Sequence, residues 1–310
     1  MPAFLEATQG FRRQYTSAMD FVVVAAPALW NMRWQVRGYR ESHPGLTKDE
    51  LMGRFVRGST VASADLIGFA EAPFEDQLEQ LGRLQLYTVI SLYERWLEDL
   101  SFLTTVDRRR LQFPRSSTRV RTHSAECVIQ RIQRASSPVM EDFRSVLQRD
   151  RYYSGTELND LLIAYRLFKE VRNTFMHQGE MPISTLLSSY AALTSLPALP
   201  FGRSARGRSL PHVVSGDPVH ITLDGAFSAS TVVLKLVMTL DAEFALSAVG
   251  EREFLERWQR HFTTLPWSRG TTQRQENRTR ALVRLTGIPK PDSAELIQPF
   301  LVSKGLLRVI

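Results

Sequence analysis

At 310 residues the chain is long enough for one well-buried core or two modest domains. Its 43% apolar and 23% charged residues exclude a disordered or fibrous protein. The formal charge of +7 is carried by arginine, since of the 39 basic residues only Lys48, Lys169, Lys235, Lys290 and Lys304 are lysine. A guanidinium grips phosphate through two parallel hydrogen bonds, so a polyanion such as nucleic acid is an expected partner. A genome rich in G and C produces the same arginine bias without such a partner.

In chain order, residues 1–76 form an N-terminal region with no chemical motif. Its apolar run, Phe21 to Trp30, is half a membrane span long and is bounded by Asp20, Asn31 and Arg33. Glu6 and Asp20 do not suit the n-region of a signal peptide, so the run is read as a buried core segment. From Leu81 to Leu103 the residues Leu86, Val89, Ile90, Tyr93, Trp96, Leu97 and Leu100 recur at three- and four-residue steps, which predicts an amphipathic helix. Residues 106–134 read as a basic loop or insertion with Arg108, Arg109, Arg110, Arg115, Arg119, Arg121, Arg131 and Arg134, interrupted by Pro114. Its first four arginines are candidate contacts to an RNA backbone, with Phe113 as a stacking surface.

A second helix is expected from Ser154, where Ser154 and Glu157 have capping-box spacing, through Leu158, Leu161, Leu162, Tyr165, Phe168 and Val171. Gly179 and Pro182 end it. Residues 183–196 are a further apolar stretch, and 197–218, rich in Pro, Gly, Arg and Ser, are a linker or long loop. In the C-terminal region, 219–310, Val219 to Leu223 suggests a short strand and Phe227 to Val249 a buried helix. The last sixty residues suggest three more short helices.

Cys127 is the only cysteine, which excludes an intrachain disulfide framework and a multi-cysteine metal site and fits a reducing compartment. With no apolar run of membrane length, a cytoplasmic protein is expected. No Gly-rich phosphate loop, Walker motif or zinc-binding pair is present, so neither a cofactor nor a metal is expected. His123 and Cys127 are four apart but lack the wider constellation of a nucleophile or metal site. His220-Ile221-Thr222 resembles half of the paired signature of the 2H phosphoesterases; without a second copy it reads as a strand.

The second helix ends in Arg172-Asn173-Thr174-Phe175-Met176-His177. This segment resembles the Arg-Asn-x-x-x-His signature of the HEPN superfamily, at the end of a long helix that follows an earlier amphipathic one. The resemblance covers residues 77–179, within a bundle assigned to 77–196, and Glu94 matches the acidic residue of the earlier helix. It implies a mainly α protein: a HEPN-like antiparallel bundle with additional, mostly helical, N- and C-terminal regions. It also implies metal-independent cleavage of RNA by the substrate's own 2′-hydroxyl. The implied acid/base is His177, the phosphate clamp Arg172, the hydrogen-bonding orienter Asn173 and the support Glu94. At about 100° per residue Arg172 lies about 140° around the helix from His177, so one regular helix does not focus both on one phosphate. Members of the family pair two motifs, so a homodimer is implied, and toxin or phage-defence members imply an antitoxin or other inhibitory partner. The alternative is a catalytically silent HEPN-like dimerisation or nucleic-acid-binding module, in which the same helices build a dimer and the arginines bind a partner. A purely structural reading is separate: Arg172 and Asn173 cap the helix carbonyls and His177 favours the helix dipole.

Overall fold

The computed structural model describes residues 3–58, 65–103, 111–112, 125–177, 179–201, 209–267 and 271–309. The chain opens with α1 (Glu6–Ser42), whose first turn has no side-chain cap of its own. Its free N–H groups are met from far along the sequence: Asp241 accepts from Phe4 and Leu5 at 2.8 and 3.0 Å, and Glu253 accepts from the Glu6 N–H at 2.5 Å. Carboxylates suit this end of a helix, where unpaired amides carry partial positive charge. Helices α2 (Lys48–Phe55), capped by a Thr47/Glu50 box, and α3 (Leu66–Glu71), capped by Asp65, follow. They close a small satellite core of Val36, Leu51, Leu66 and Ala70 against the far half of α1.

Then come α4 (Phe74–Leu103), α5 (Ala125–Arg134), α6 (Arg144–Gln148), α7 (Leu158–His177) and α8 (Ser184–Thr194). The chain continues through α9 (Leu223–Ala245), α10 (Ala248–His261), β1 (Leu265–Trp267), α11 (Thr272–Leu285), α12 (Ile297–Ser303) and β2 (Leu307–Val309). The two short strands pair in parallel, with Leu265 opposite Leu307. The protein is therefore mainly α.

The side-chain contacts set the helix directions. Trp96 of α4 meets Thr8 of α1 and Gln85 meets Met19, so α1 and α4 run antiparallel. Tyr93 meets Tyr165, and Arg83 lies over Phe175, so α4 and α7 are also antiparallel. Helix α9 lies between these layers and is buried on nearly every face. By length and composition it could cross a membrane, yet most of it is enclosed by this core. Gly82 sets the α4–α9 crossing, because a Cβ there would stand 3.2–3.3 Å from the Thr222–Leu223 backbone. One hydrophobic cluster runs from Phe4 to Leu307, so helices on both sides of the 197–218 stretch share it.

Four readings of the sequence need correction. The Phe21–Trp30 run is largely surface: Phe21, Val23 and Val24 are 67, 57 and 66% exposed. The buried seam of α1 uses Phe11, Val22 and Arg33, eleven residues or three turns apart, and the apolar neighbours lie off it. Ser154 and Glu157 do not form a capping box; Ser154 donates its N–H to Thr239 and Glu157 pairs with Lys235, both on α9. A 3-10 turn intervenes and α7 begins at Leu158. The end of the basic segment, residues 125–134, is helix α5, with Val128, Ile129 and Ile132 in the core and Arg131 and Arg134 exposed. The Val219 to Leu223 segment makes a single bridge, His212 to His220, before α9 starts.

Candidate functional site

The α4–α7 contact brings three of the sequence candidates together. Glu94, on the α4 side facing α7, accepts from Arg172 Nη2 at 2.5 Å through one carboxylate oxygen and pairs with Lys169 Nζ at 2.9 Å through the other. Lys169 and Arg172 are three apart and so share a face of α7. Arg172 Nη1 also donates to Asn173 Oδ1 at 3.2 Å, and Lys169 donates to Gln112 at 3.1 Å. Glu94, Arg172 and Lys169 retain 29, 18 and 15% of their side-chain exposure, so the cluster is half-sheltered, with one net positive charge.

Beneath it, the rings of Tyr93 and Tyr165 meet edge to face at 4.6 Å. Tyr93 donates to the Leu111 carbonyl at 2.9 Å, and burial pushes both phenols above their ordinary pKa. They stay neutral and form an apolar floor that strengthens the ion pairs above.

His177 is the last residue of α7 and is exposed. Helix α7 stays regular through it, which places its Cα about 7.5 Å further along the axis than that of Arg172 and about 140° around. Within one chain the two residues therefore face different directions. Among the described residues no hydrogen bond or ion pair holds the imidazole.

The backbone after the helix is more constrained. Gly179 and Glu180 both have left-handed φ, 61° and 72°, a conformation that a non-glycine residue holds only when its surroundings enforce it. Here Arg83 of α4 enforces it by pairing with the Glu180 carboxylate, which holds that carboxyl below its usual range. The Glu180 carbonyl accepts from the Val219 N–H at 2.8 Å. The Arg83 guanidinium also lies 4.4 Å from the Phe175 ring centre and pairs with Glu79 at 2.7 Å. Glu79 in turn meets His220 Nδ1 at 3.1 Å. The end of α7 is thus pinned to α4 at Arg83, eleven residues or about three turns along α4 from Glu94.

Sequence reasoning missed Lys169 and Arg83. Lys169 was findable, three residues before Arg172 on the same face; Arg83 was not, because its partner Glu180 is distant in sequence. Arg108, Arg109, Arg110 and Arg115, together with Phe113 and His123, lie outside the described residues. What the cluster can do is hold an anion: the Arg172 fork has donors beyond those spent on Glu94 and Asn173, and Lys169 adds a second cation. Comparison with protein-family models, with curated proteins and with solved structures finds no match to this chain.

Proposed function

We propose that this chain is a metal-independent endoribonuclease of the HEPN type, acting on cytoplasmic RNA as a toxin or phage-defence effector. The observation that carries the reading is the Glu94–Arg172 pair, which fixes the arginine of an Arg-Asn-x-x-x-His motif between two antiparallel helices and leaves the histidine exposed at the helix end. In this reading His177 takes the proton from a 2′-hydroxyl as that oxygen attacks the adjacent phosphorus. The 5′-oxygen of the next nucleotide leaves and takes its proton from the imidazolium that His177 has become, which returns the histidine to its starting form. Arg172 neutralises the charge that grows on the phosphoryl oxygens, and Asn173 and Glu94 hold Arg172 in place. The products are a 2′,3′-cyclic phosphate and a 5′-hydroxyl.

Because Arg172 and His177 diverge on one regular helix, a second copy supplies the complementary half of each site, and the working form is a homodimer. Unrestrained RNA cleavage harms its host, so an antitoxin or other inhibitory partner belongs to this reading. The test is cleavage of total cellular RNA in chelator by the wild type and by His177→Ala, with product termini identified. Cleavage that leaves cyclic phosphates and vanishes in the variant supports the nuclease. Dependence on a divalent metal, 5′-phosphate products or a monomeric active form overturns it. Tight RNA binding without cleavage, unchanged in His177→Ala, moves the assignment to a non-catalytic HEPN-like binding module.

A further inference from the structure

Helix α1 has a polar face that neither the core nor the α4–α7 site uses. Gln9, Arg12, Arg13, Thr16, Ser17 and Asp20 follow the i, i+3, i+4, i+7, i+8, i+11 pattern of a single helical face, about 16 Å long. They line an open groove of about 710 Å³ whose other wall includes Gly287, just beyond α11. The wall is tied in place: Gln9 Nε2 donates to the Gly287 carbonyl at 2.8 Å and to the Ala3 carbonyl at 3.0 Å. Gly287 N–H in turn bonds to the carbonyl of Arg284, an exposed arginine at the end of α11, at 3.1 Å.

Two arginines, Arg12 and Arg13, face one carboxylate in the groove, Asp20 at its far end. Glu6, outside the lining, feels the charge of Arg13 but is paired with Arg260 at 2.9 Å. Among the described residues neither Arg12 nor Arg13 forms an ion pair. Arginines that serve packing usually find a carboxylate or carbonyl, as Arg33, Arg37 and Arg257 do elsewhere in this chain. Two adjacent guanidiniums outside any ion pair, with two hydroxyls one turn on, form a strip with more donors than its one carboxylate, Asp20, can engage.

We propose that this groove binds the phosphodiester backbone of a single-stranded RNA, with Arg12 and Arg13 on phosphates and Thr16 and Ser17 donating to phosphate oxygens. The open shape suits a strand passing through, whereas a small ligand is ordinarily enclosed. Its length accommodates more than one phosphate, which a single strand spaces closely. The choice of RNA rests on the nuclease reading; the affinity for a phosphodiester backbone does not.

The test is the affinity of the full chain for a labelled single-stranded RNA across a salt series, on a His177→Ala background that blocks cleavage. Arg12→Ala/Arg13→Ala is expected to weaken binding roughly tenfold or more at low salt. It also lowers the slope of log K against log salt by about 1.4, about 0.7 for each phosphate that no longer meets a guanidinium. The charge-matched control Arg54→Ala/Arg57→Ala, on exposed positions of α2 and the turn after it, stays within about twofold of the parent. Equal weakening in both variants, an unchanged slope, or a parent that does not bind RNA overturns the proposal. So does a polyglutamate peptide that binds the parent as tightly as RNA and fails to bind the same variant, which assigns the groove to an acidic protein segment. Binding that follows Arg12 and Arg13 while the cleavage assay fails leaves the groove standing and removes the nuclease.

Discussion

Replacing Glu94 with Gln removes the one negative charge between Lys169 and Arg172. Unit charges about 4 Å apart attract by about 4 kcal/mol at an effective dielectric of about 20. The three side chains keep between 15 and 29% of their exposure, so solvent screening and the ordering of two long cations remove much of this. The net Glu94–Arg172 coupling then comes to about 1–2 kcal/mol. Glu94→Gln alone costs more, about 2–3 kcal/mol, because it leaves two like charges three residues apart on α7 without a counter-ion. The assay is urea unfolding followed by far-ultraviolet circular dichroism on wild type, Glu94→Gln, Arg172→Met and the double variant, where methionine keeps most of the arginine stem's packing. Arg95–Asp99, a pair that starts at the next residue of the same helix but is 70 and 39% exposed, is the internal comparison and should couple by less than about 0.5 kcal/mol. A Glu94–Arg172 coupling below that same level would refute the claim that this pair fixes the arginine.

Gly250→Ala should cost about 3 kcal/mol or more and reduce soluble yield, because the new Cβ would lie 1.9 Å from the Ala245 carbonyl in the tight α9–α10 junction; a thermal midpoint within a degree of wild type would contradict that packing. Asp241 is fully buried and its pKa is raised to about 6, first by desolvation, against an ordinary 3.8. Between those values the folded state binds a proton that the unfolded state does not, so this group's contribution to stability rises as pH falls through 6 and is complete below 3.8. The span is about 3 kcal/mol. Asp241→Asn should remove that part of the slope when urea midpoints are measured from pH 4 to 7, and an unaltered slope would show that Asp241 is not its source. Phe21→Ser and Val24→Ser should each change stability by no more than about 0.5 kcal/mol in urea unfolding, as surface positions do. A loss near 3 kcal/mol, typical of a truncated buried phenylalanine, would return that run to the core.

Periodicity in the sequence located the bodies of α4 and α7, because a helix that packs one face must repeat its apolar residues at three- and four-residue steps, but not their starts: α4 begins at Phe74, seven residues before Leu81, and α7 at Leu158. Gly179 marked the end of α7 because left-handed backbone favours glycine. The positions of Arg172 and His177 on that helix, and their divergence around it, also follow from the sequence and regular helical geometry alone. The run at Phe21–Trp30 misled because it is apolar on every face and so carries no phase; only the packing of α1 on α4 selected Val22 and exposed its neighbours. Ser154 and Glu157 had the spacing of a local cap, but partners on α9 compete for the same hydrogen bonds. Contacts such as Glu94 with Arg172, Arg83 with Glu180 and Asp241 with the start of α1 join residues far apart in sequence. They were decided by the tertiary structure because half-buried and buried charges must find partners, and the fold alone brings those partners within reach.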